Sequence, residues 1–370
     1  MNASVKANRG LEGVVAAETR LSMVDGEAGE LLIGGYPVAE LAMSATFEET
    51  VWLLWHGALP DRATLSEFQK TLASRRELPE ATLALLRAAT HVPAMDALLM
   101  ATPTLALGRD RDDESDAVTL VAAFPAVVAA HHRLARGLEP IAPRPELGHS
   151  ANYLWMLSGE MPDAERVRGM ETYLNTVVDH GLAASTFAAR VIVSTESDLV
   201  SAIAGALGAM KGPLHGGAPG PALDMVFEIG EAPRAEEVLR RKIEAGEKLM
   251  GFGHRVYKVR DPRADVLAAA AERMFTRGGD MRLYELAKHV EATAIRLLEE
   301  YKPGRRLQTN VEFYTALLLH GLGLDVPLFT PTFSVARVAG WLAHCFEQRR
   351  DNRIIRPQSV YVGERRRFAA

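Results

Sequence analysis

From about residue 46 onward, apolar residues recur at three- and four-residue spacing, and no regular alternation of strand and helix patterns interrupts them. This periodicity is the strongest constraint on the fold: it predicts a mainly α chain and argues against a Rossmann-like parallel sheet. Thr46-Phe-Glu-Glu49 has the spacing of a capping box ahead of Val51, Leu54 and Trp55, with Gly57 and Pro60 closing that run. Thr64 and Glu67 repeat the spacing before Phe68 and Leu72. Further helices are expected over Ala151–Leu157, Ala164–Leu182, Ser185–Val193, Asp198–Met210, Ala235–Met250, Val266–Thr276, Met281–Glu300, Val311–Leu319 and Val335–Gln348. Before them, VDGEAGELLIGGYP reads as a small β segment with turns at Asp25-Gly26 and Gly34-Gly35.

At 370 residues the chain can bury a large core, and two domains are expected. A net charge of -5 argues against a nucleic-acid scaffold, while a small anionic substrate needs only local basic groups. The arginines at 365, 366 and 367 read as a solvated tail. A single cysteine, Cys345, excludes an intrachain disulfide and a cysteine-based zinc site. The start, MNASVKANRG, has no apolar core like that of a signal peptide. The apolar run Ala117–Ala130 carries Pro125 and is shorter than the roughly 20 residues of a membrane helix. A buried helix in a cytoplasmic protein is the expectation. The loop from Gly108 to Asp116 and the Pro-rich stretch at 137–148 are expected connections.

Four segments carry candidate chemistry: DHGLAASTFAAR with His180, KGPLHGG with His215, LMGFGHRVYKVRDPRA with His254 and Arg263, and QTNVEFYTA with Asn310 and Glu312. Each alone has a structural explanation, since a histidine beside glycines often just ends a helix at a turn. The histidine spacing is not that of a zinc site, and HExxH, a Walker A lysine and GxSxG are all missing.

Together, and in this order, these segments resemble the citrate synthase family. So do GLEGVVAAETRLSMVDGEAGELLIGGYP near the start, FEETVWLLWHGALP, HHRLARGLEPIAP, SVARVAGWLAH, and IIRPQSVYVG near the end. The resemblance spans essentially the whole chain. It implies a two-domain helical fold, with residues 1–216 and 318–370 forming a large dimer-forming domain and 217–317 a smaller, mobile, CoA-binding one. The implied reaction condenses acetyl-CoA with oxaloacetate to citrate and CoA, with no tightly bound cofactor and no metal. The implied alternatives are a 2-methylcitrate synthase using propionyl-CoA and a non-catalytic binding paralogue.

By this resemblance Glu312 is the base, His215 donates to the thioester oxygen, and His254 polarises and protonates the ketone. His180, Arg263, Arg337 and Arg356 bind the dicarboxylate, for which the guanidinium fork is well matched. Arg356 reaches into the partner's site, which implies a homodimer. Leu249, Met250, Gly251, Phe252, Gly253 and Lys258 form the CoA-binding segment, with Arg260 and Arg305 as weaker candidates for the CoA phosphates. The glycines and proline around His215 suggest a helix N-terminus, whose dipole lowers an imidazole pKa. The sequence departs from the family pattern in five places. Glu312 stands where aspartate is usual, and Thr309 replaces the usual proline. Gly181 and Ala183 replace glutamate and asparagine, and GGAPG at 216–220 replaces GGANE.

Overall fold

The computed structural model describes residues 8–107, 112–216, 219–254, 256–278 and 281–366. Gly108–Arg111 of the expected charged loop, Gly217 and Ala218 after His215, and Arg367 lie outside the described residues. Three short antiparallel strands form a meander: β1 (Ser22–Asp25), β2 (Glu30–Ile33) and β3 (Tyr36–Pro37). Ser22 pairs with Ile33 and Asp25 with Glu30. At the hairpin tip a Cβ on Gly26 would collide with the Val256 carbonyl oxygen, and the Gly26 carbonyl accepts from the Lys258 amide at 2.8 Å. The absence of a side chain at Gly26 thus lets the hairpin lie against the loop that follows His254.

The rest is helical. Thr46 and Glu49 make the full capping box of helix Phe47–His56, which ends on Gly57 in the left-handed conformation. The next helix, Arg62–Ala73, departs from expectation: its N-cap is Asp61, whose carboxylate accepts from the Thr64 amide at 2.8 Å. A carboxylate placed just after Pro60 starts the helix one turn before Thr64 can. The sequence pattern also missed the helices Val38–Ser44 and Pro219–Ile229.

Two long apolar helices form the centre. Asp113–Leu134 runs unbroken through Pro125 and is buried continuously from Asp116 to His131. Its length and composition would let it cross a membrane, yet most of its surface is covered by other helices of this chain. Proline removes one helical hydrogen bond, and packing against Ala94–Ala101, His149–Ser158 and Phe329–Arg350 keeps the helix continuous. Phe329–Arg350 starts six residues before the expected Val335, despite Pro331, because proline is tolerated in a first turn. It packs on Phe47–His56, Ala164–Val177, Ala184–Val193 and Leu199–Met210.

Toward the later part of the chain, Pro262–Gly278 packs against Val311–Gly321 and reaches back to Ala164–Val177. Ala235–Glu244 stops short of the expected Met250, because Gly246 takes a positive φ of 77°. This frees 245–261 to act as a loop. Ala164–Val177 likewise ends before the expected Leu182, leaving His180 beyond the helix.

Candidate active site

The segment carrying His180 is held by the facing helix Phe329–Arg350. Arg337 Nε donates to the Val177 carbonyl at 2.7 Å, so that carbonyl is capped by a side chain rather than by a further helical turn. Gly181 turns the chain with φ of 59°, and its amide donates to Ser22 Oγ at 2.8 Å. The half-buried His180 ring is thereby set 5.8 Å from the ring of His254, and its Nε2 lies 3.1 Å from the Tyr257 hydroxyl. Burial, then the charges of Arg263 and Arg337, hold the His180 pKa well below the ordinary histidine value.

His254 lies in the loop after Gly253. Its Nδ1 accepts from the amides of Val256 (3.0 Å) and Tyr257 (3.1 Å). Backbone amides only donate, so Nδ1 carries no proton and the neutral ring keeps its proton on Nε2. Burial and the neighbouring Arg263 lower the pKa to about 4, so at neutral pH the ring is an uncharged donor. Arg263 Nη2 lies 3.4 Å from that nitrogen, longer than the two amide bonds at Nδ1 that decide the tautomer.

Arg263 is not the free cation expected. It makes a buried bidentate pair with Asp261, Nε to Oδ1 at 3.0 Å and Nη2 to Oδ2 at 2.8 Å. A guanidinium this deeply buried requires a counter-charge, and Asp261 is two residues away. Asp261 Oδ2 also accepts from the Val311 amide at 3.2 Å, tying this pair to the helix that carries Glu312.

Glu312 occupies the first turn of Val311–Gly321, whose N-cap is Asn310. The Asn310 side chain donates to the Gly253 carbonyl at 2.8 Å, and Phe252 bridges Thr309. The expected CoA segment, Leu249–Gly253, therefore runs antiparallel to the chain leading into Glu312. Gly251 and Gly253 take φ of 89° and 83°, and a Cβ on either would crowd Phe313 or Leu307. Among the described residues no hydrogen bond reaches the Glu312 carboxylate. Burial raises its pKa to about 7 against the opposing pull of Arg263 and Arg337. A carboxylate with this proton affinity suits proton abstraction near neutral pH.

His215 does not stand at a helix N-terminus. It lies in the turn that follows Leu199–Met210, its amide donating to the Gly212 carbonyl at 2.9 Å, and the next helix begins at Pro219. Its pKa is lowered by burial first and by Arg337 second. The Trp341 indole donates to Ser185 Oγ at 3.0 Å, and Ser185 Oγ lies 2.7 Å from His215 Nε2. A hydroxyl that accepts from the indole keeps its own proton to give to Nε2, and in that arrangement the ring proton sits on Nδ1.

Arg337 is the electrostatic centre. Its charge is felt by His180, His215 and Glu312. The residue is almost wholly buried, stacked over Phe333, and burial lowers its pKa to about 10. Among the described residues its Nη atoms have no hydrogen-bonded partner, leaving the fork open for an anion.

The structure thus brings together His180, His215, His254, Arg263, Arg337 and Glu312. Arg260 is not available for CoA, because it pairs with Asp265 and Glu291 at 2.5 Å each. Arg305 and Lys258 are exposed, and Lys258 has its own contacts. Arg356 is exposed in the extended segment after Arg350, outside this chain's own cluster. Sequence reasoning missed Tyr257, Asp261, Ser185 and Trp341. Asp261 and Tyr257 sit two and three residues from named candidates, the one signal that could have exposed them. A cavity of about 820 Å³ between Trp52, Trp55, Phe68 and Phe346 lies elsewhere and contains none of these groups.

A base of pKa about 7, two uncharged imidazole donors and an open buried guanidinium define a class: an enzyme that enolises a carbonyl compound and joins it to an anionic partner. The comparisons narrow this. The model for "Citrate synthase, C-terminal domain" matches residues 10–358. Citrate synthase 2 of Bacillus subtilis is 41% identical over 96% of this chain and 96% of its own length. The 2-methylcitrate synthase of Mycobacterium tuberculosis is 38% identical over 97% and 91%. The structure of Thermoplasma acidophilum citrate synthase, in a ternary complex with carboxymethyl coenzyme A and oxaloacetate, superposes with a TM-score of 0.90 at 30% identity, covering 99% and 98%. The chain belongs to the citrate synthase family.

Proposed function

We propose that the chain condenses acetyl-CoA with oxaloacetate, giving citrate and free CoA. The carrying observation is the convergence of Glu312, His180 and His215 on the open guanidinium of Arg337. Glu312 takes a proton from the methyl group beside the thioester while His215 Nδ1–H stabilises the developing enolate oxygen. The nucleophilic carbon attacks the oxaloacetate ketone, and His254 Nε2–H gives its proton to the new alkoxide. Water then cleaves the citryl thioester and releases CoA. Arg337 and the unpaired end of Arg263 receive the substrate carboxylates, with His180 as a further hydrogen-bonding group. The loop Leu249–Gly253 receives the CoA thioester, which is a co-substrate rather than a bound cofactor.

In this reading the functional unit is a homodimer in which Arg356 completes the partner's site. Its exposure on an extended segment, together with that of Ile354, Val360, Tyr361 and Val362, supports this. The segment 217–317 moves as a smaller domain, closing when oxaloacetate binds. The single buried cysteine suits a reducing, cytoplasmic setting.

The test is thiol release from acetyl-CoA and propionyl-CoA, each with and without oxaloacetate. Release that requires oxaloacetate and favours acetyl-CoA is expected. A preference for propionyl-CoA would assign the 2-methylcitrate reaction, which similarity to the Mycobacterium tuberculosis enzyme keeps in view. No release with either thioester would refute catalysis.

A further inference from the structure

The turn that carries His180 is held through groups that are polar or charged and buried. Asp179, the residue before it, and His344 are both fully buried, and His344 Nε2 lies 3.2 and 3.3 Å from the two Asp179 oxygens. On the far side of the ring, Arg190 Nη1 approaches His344 Nδ1 at 3.1 Å. A guanidinium can only donate, so Nδ1 is an acceptor and the ring proton sits on Nε2, pointing at Asp179. Arg190 is itself fixed by Glu347 at 2.7 Å and Gln348 at 3.1 Å.

The carboxylate end is equally determined. Ser22 Oγ donates to Asp179 Oδ2 at 2.5 Å and accepts from the Gly181 amide. One helix face spaces these contacts along the chain: Arg337 at the Val177 carbonyl, Gly340 against the Val178 carbonyl, and His344 at Asp179. Val177, Asp179 and Gly181 are thereby anchored, and the His180 ring is directed at Tyr257.

We propose that Arg190, His344 and Asp179 form a positioning relay that sets His180 and the adjacent Arg337 for the dicarboxylate, with Ser22 as its outer clasp. None of the four touches substrate. The relay rests on the oxaloacetate reading given above. It fixes the proton position at His344 and the orientation of a negative charge beside Arg337 without occupying the open end of that guanidinium.

The experiment measures oxaloacetate binding by calorimetry and KM for both substrates in the whole enzyme. His344→Leu removes donor and acceptor together. His344→Gln keeps an amide that can accept from Arg190 and donate to Asp179. Leu should weaken oxaloacetate binding and raise its KM by about tenfold, the size of one lost hydrogen bond to a charged group, with acetyl-CoA KM within about twofold. Gln should recover most of the loss. Ser22→Ala, on the edge strand of the small sheet, should weaken oxaloacetate binding by about fivefold through the loosened Gly181 amide, and it carries the test if Leu does not fold. A merely structural role would lower thermal stability and active fraction with both KM values intact, and that result overturns the relay, as does equal behaviour of Leu and Gln. Wild-type enzyme that binds no oxaloacetate would instead refute the parent reading.

Discussion

Replacing Glu312 by glutamine should stabilise the protein in a pH-dependent way while abolishing turnover. In the folded chain the Glu312 carboxyl is raised from an ordinary 4.5 to about 7, with burial as the leading cause. The native state therefore holds this proton more tightly than the unfolded chain does. The group's contribution to stability is fully present below pH 4.5 and is lost as pH rises through about 7. At about 1.4 kcal/mol for each tenfold change in proton affinity, the loss above that pH is roughly 3 kcal/mol. Glutamine keeps the shape and never ionises. The assay is urea unfolding of wild type and Glu312→Gln at fixed protein concentration, at steps from pH 5 to pH 8.5. The stability difference should be small at the acid end and grow by roughly 3 kcal/mol toward the alkaline end in favour of glutamine. A difference constant across this range would show that the carboxyl is not raised by burial, and the argument for Glu312 as a base tuned to neutral pH would fail with it.

The same proton should appear in catalysis: kcat/KM for acetyl-CoA is expected to fall tenfold per pH unit below about 7, and a limb with its midpoint near the ordinary carboxyl value would contradict it. Arg356→Ala and Glu312→Gln, each nearly inactive, should regain activity when mixed and exchanged, because one site of each heterodimer would then carry both native groups; heterodimers proven by mass yet inactive would refute the shared site. Thr309 Oγ1 donates to buried Glu291 at 2.7 Å, and the bridge to Phe252 uses the amides of Gly253 and Asn310 rather than that of Thr309, so a proline there would break neither backbone bond. Thr309→Pro and Glu312→Asp should each lower kcat by about tenfold or more and together recover part of the loss, whereas multiplicative effects would show that the two positions are uncoupled.

What could be read from sequence was what neighbouring residues decide. The box Thr46–Glu49 and the glycine at 57 are complete within one helix, and the hairpin turns at Asp25-Gly26 and Gly34-Gly35 need only their own residues. Thr64 was misleading because Asp61, a stronger cap, stood three residues earlier. The end of the helix at Val177 was invisible because the group that satisfies its carbonyl is Arg337, 160 residues away. The resemblance named His180, His215, His254, Glu312 and Arg337, which the structure brings close to one another. It did not give the pairing of Arg263 with Asp261, the occupation of Arg260 by Asp265 and Glu291, or the reach from Trp341 through Ser185 to His215. Those depend on which helices face one another.

The last helix described, Phe329–Arg350, supplies contacts to carbonyls, hydroxyls and carboxylates that the chain laid down between Ser22 and Ser185. Synthesis runs from the N-terminus, so the residues around His180 and His215 emerge long before the helix that orients them. Until it arrives, the apolar sides of Asp113–Leu134 and Leu199–Met210 that it covers are open to water and to other chains. Contacts spanning some 160 residues must close before the site exists, and their loop-closure entropy is met only at that stage. A ribosome-stalled chain ending near residue 328 should accordingly be a chaperone client without a formed site, and assembly of the cleft should coincide with release of the final helix rather than progress with chain length.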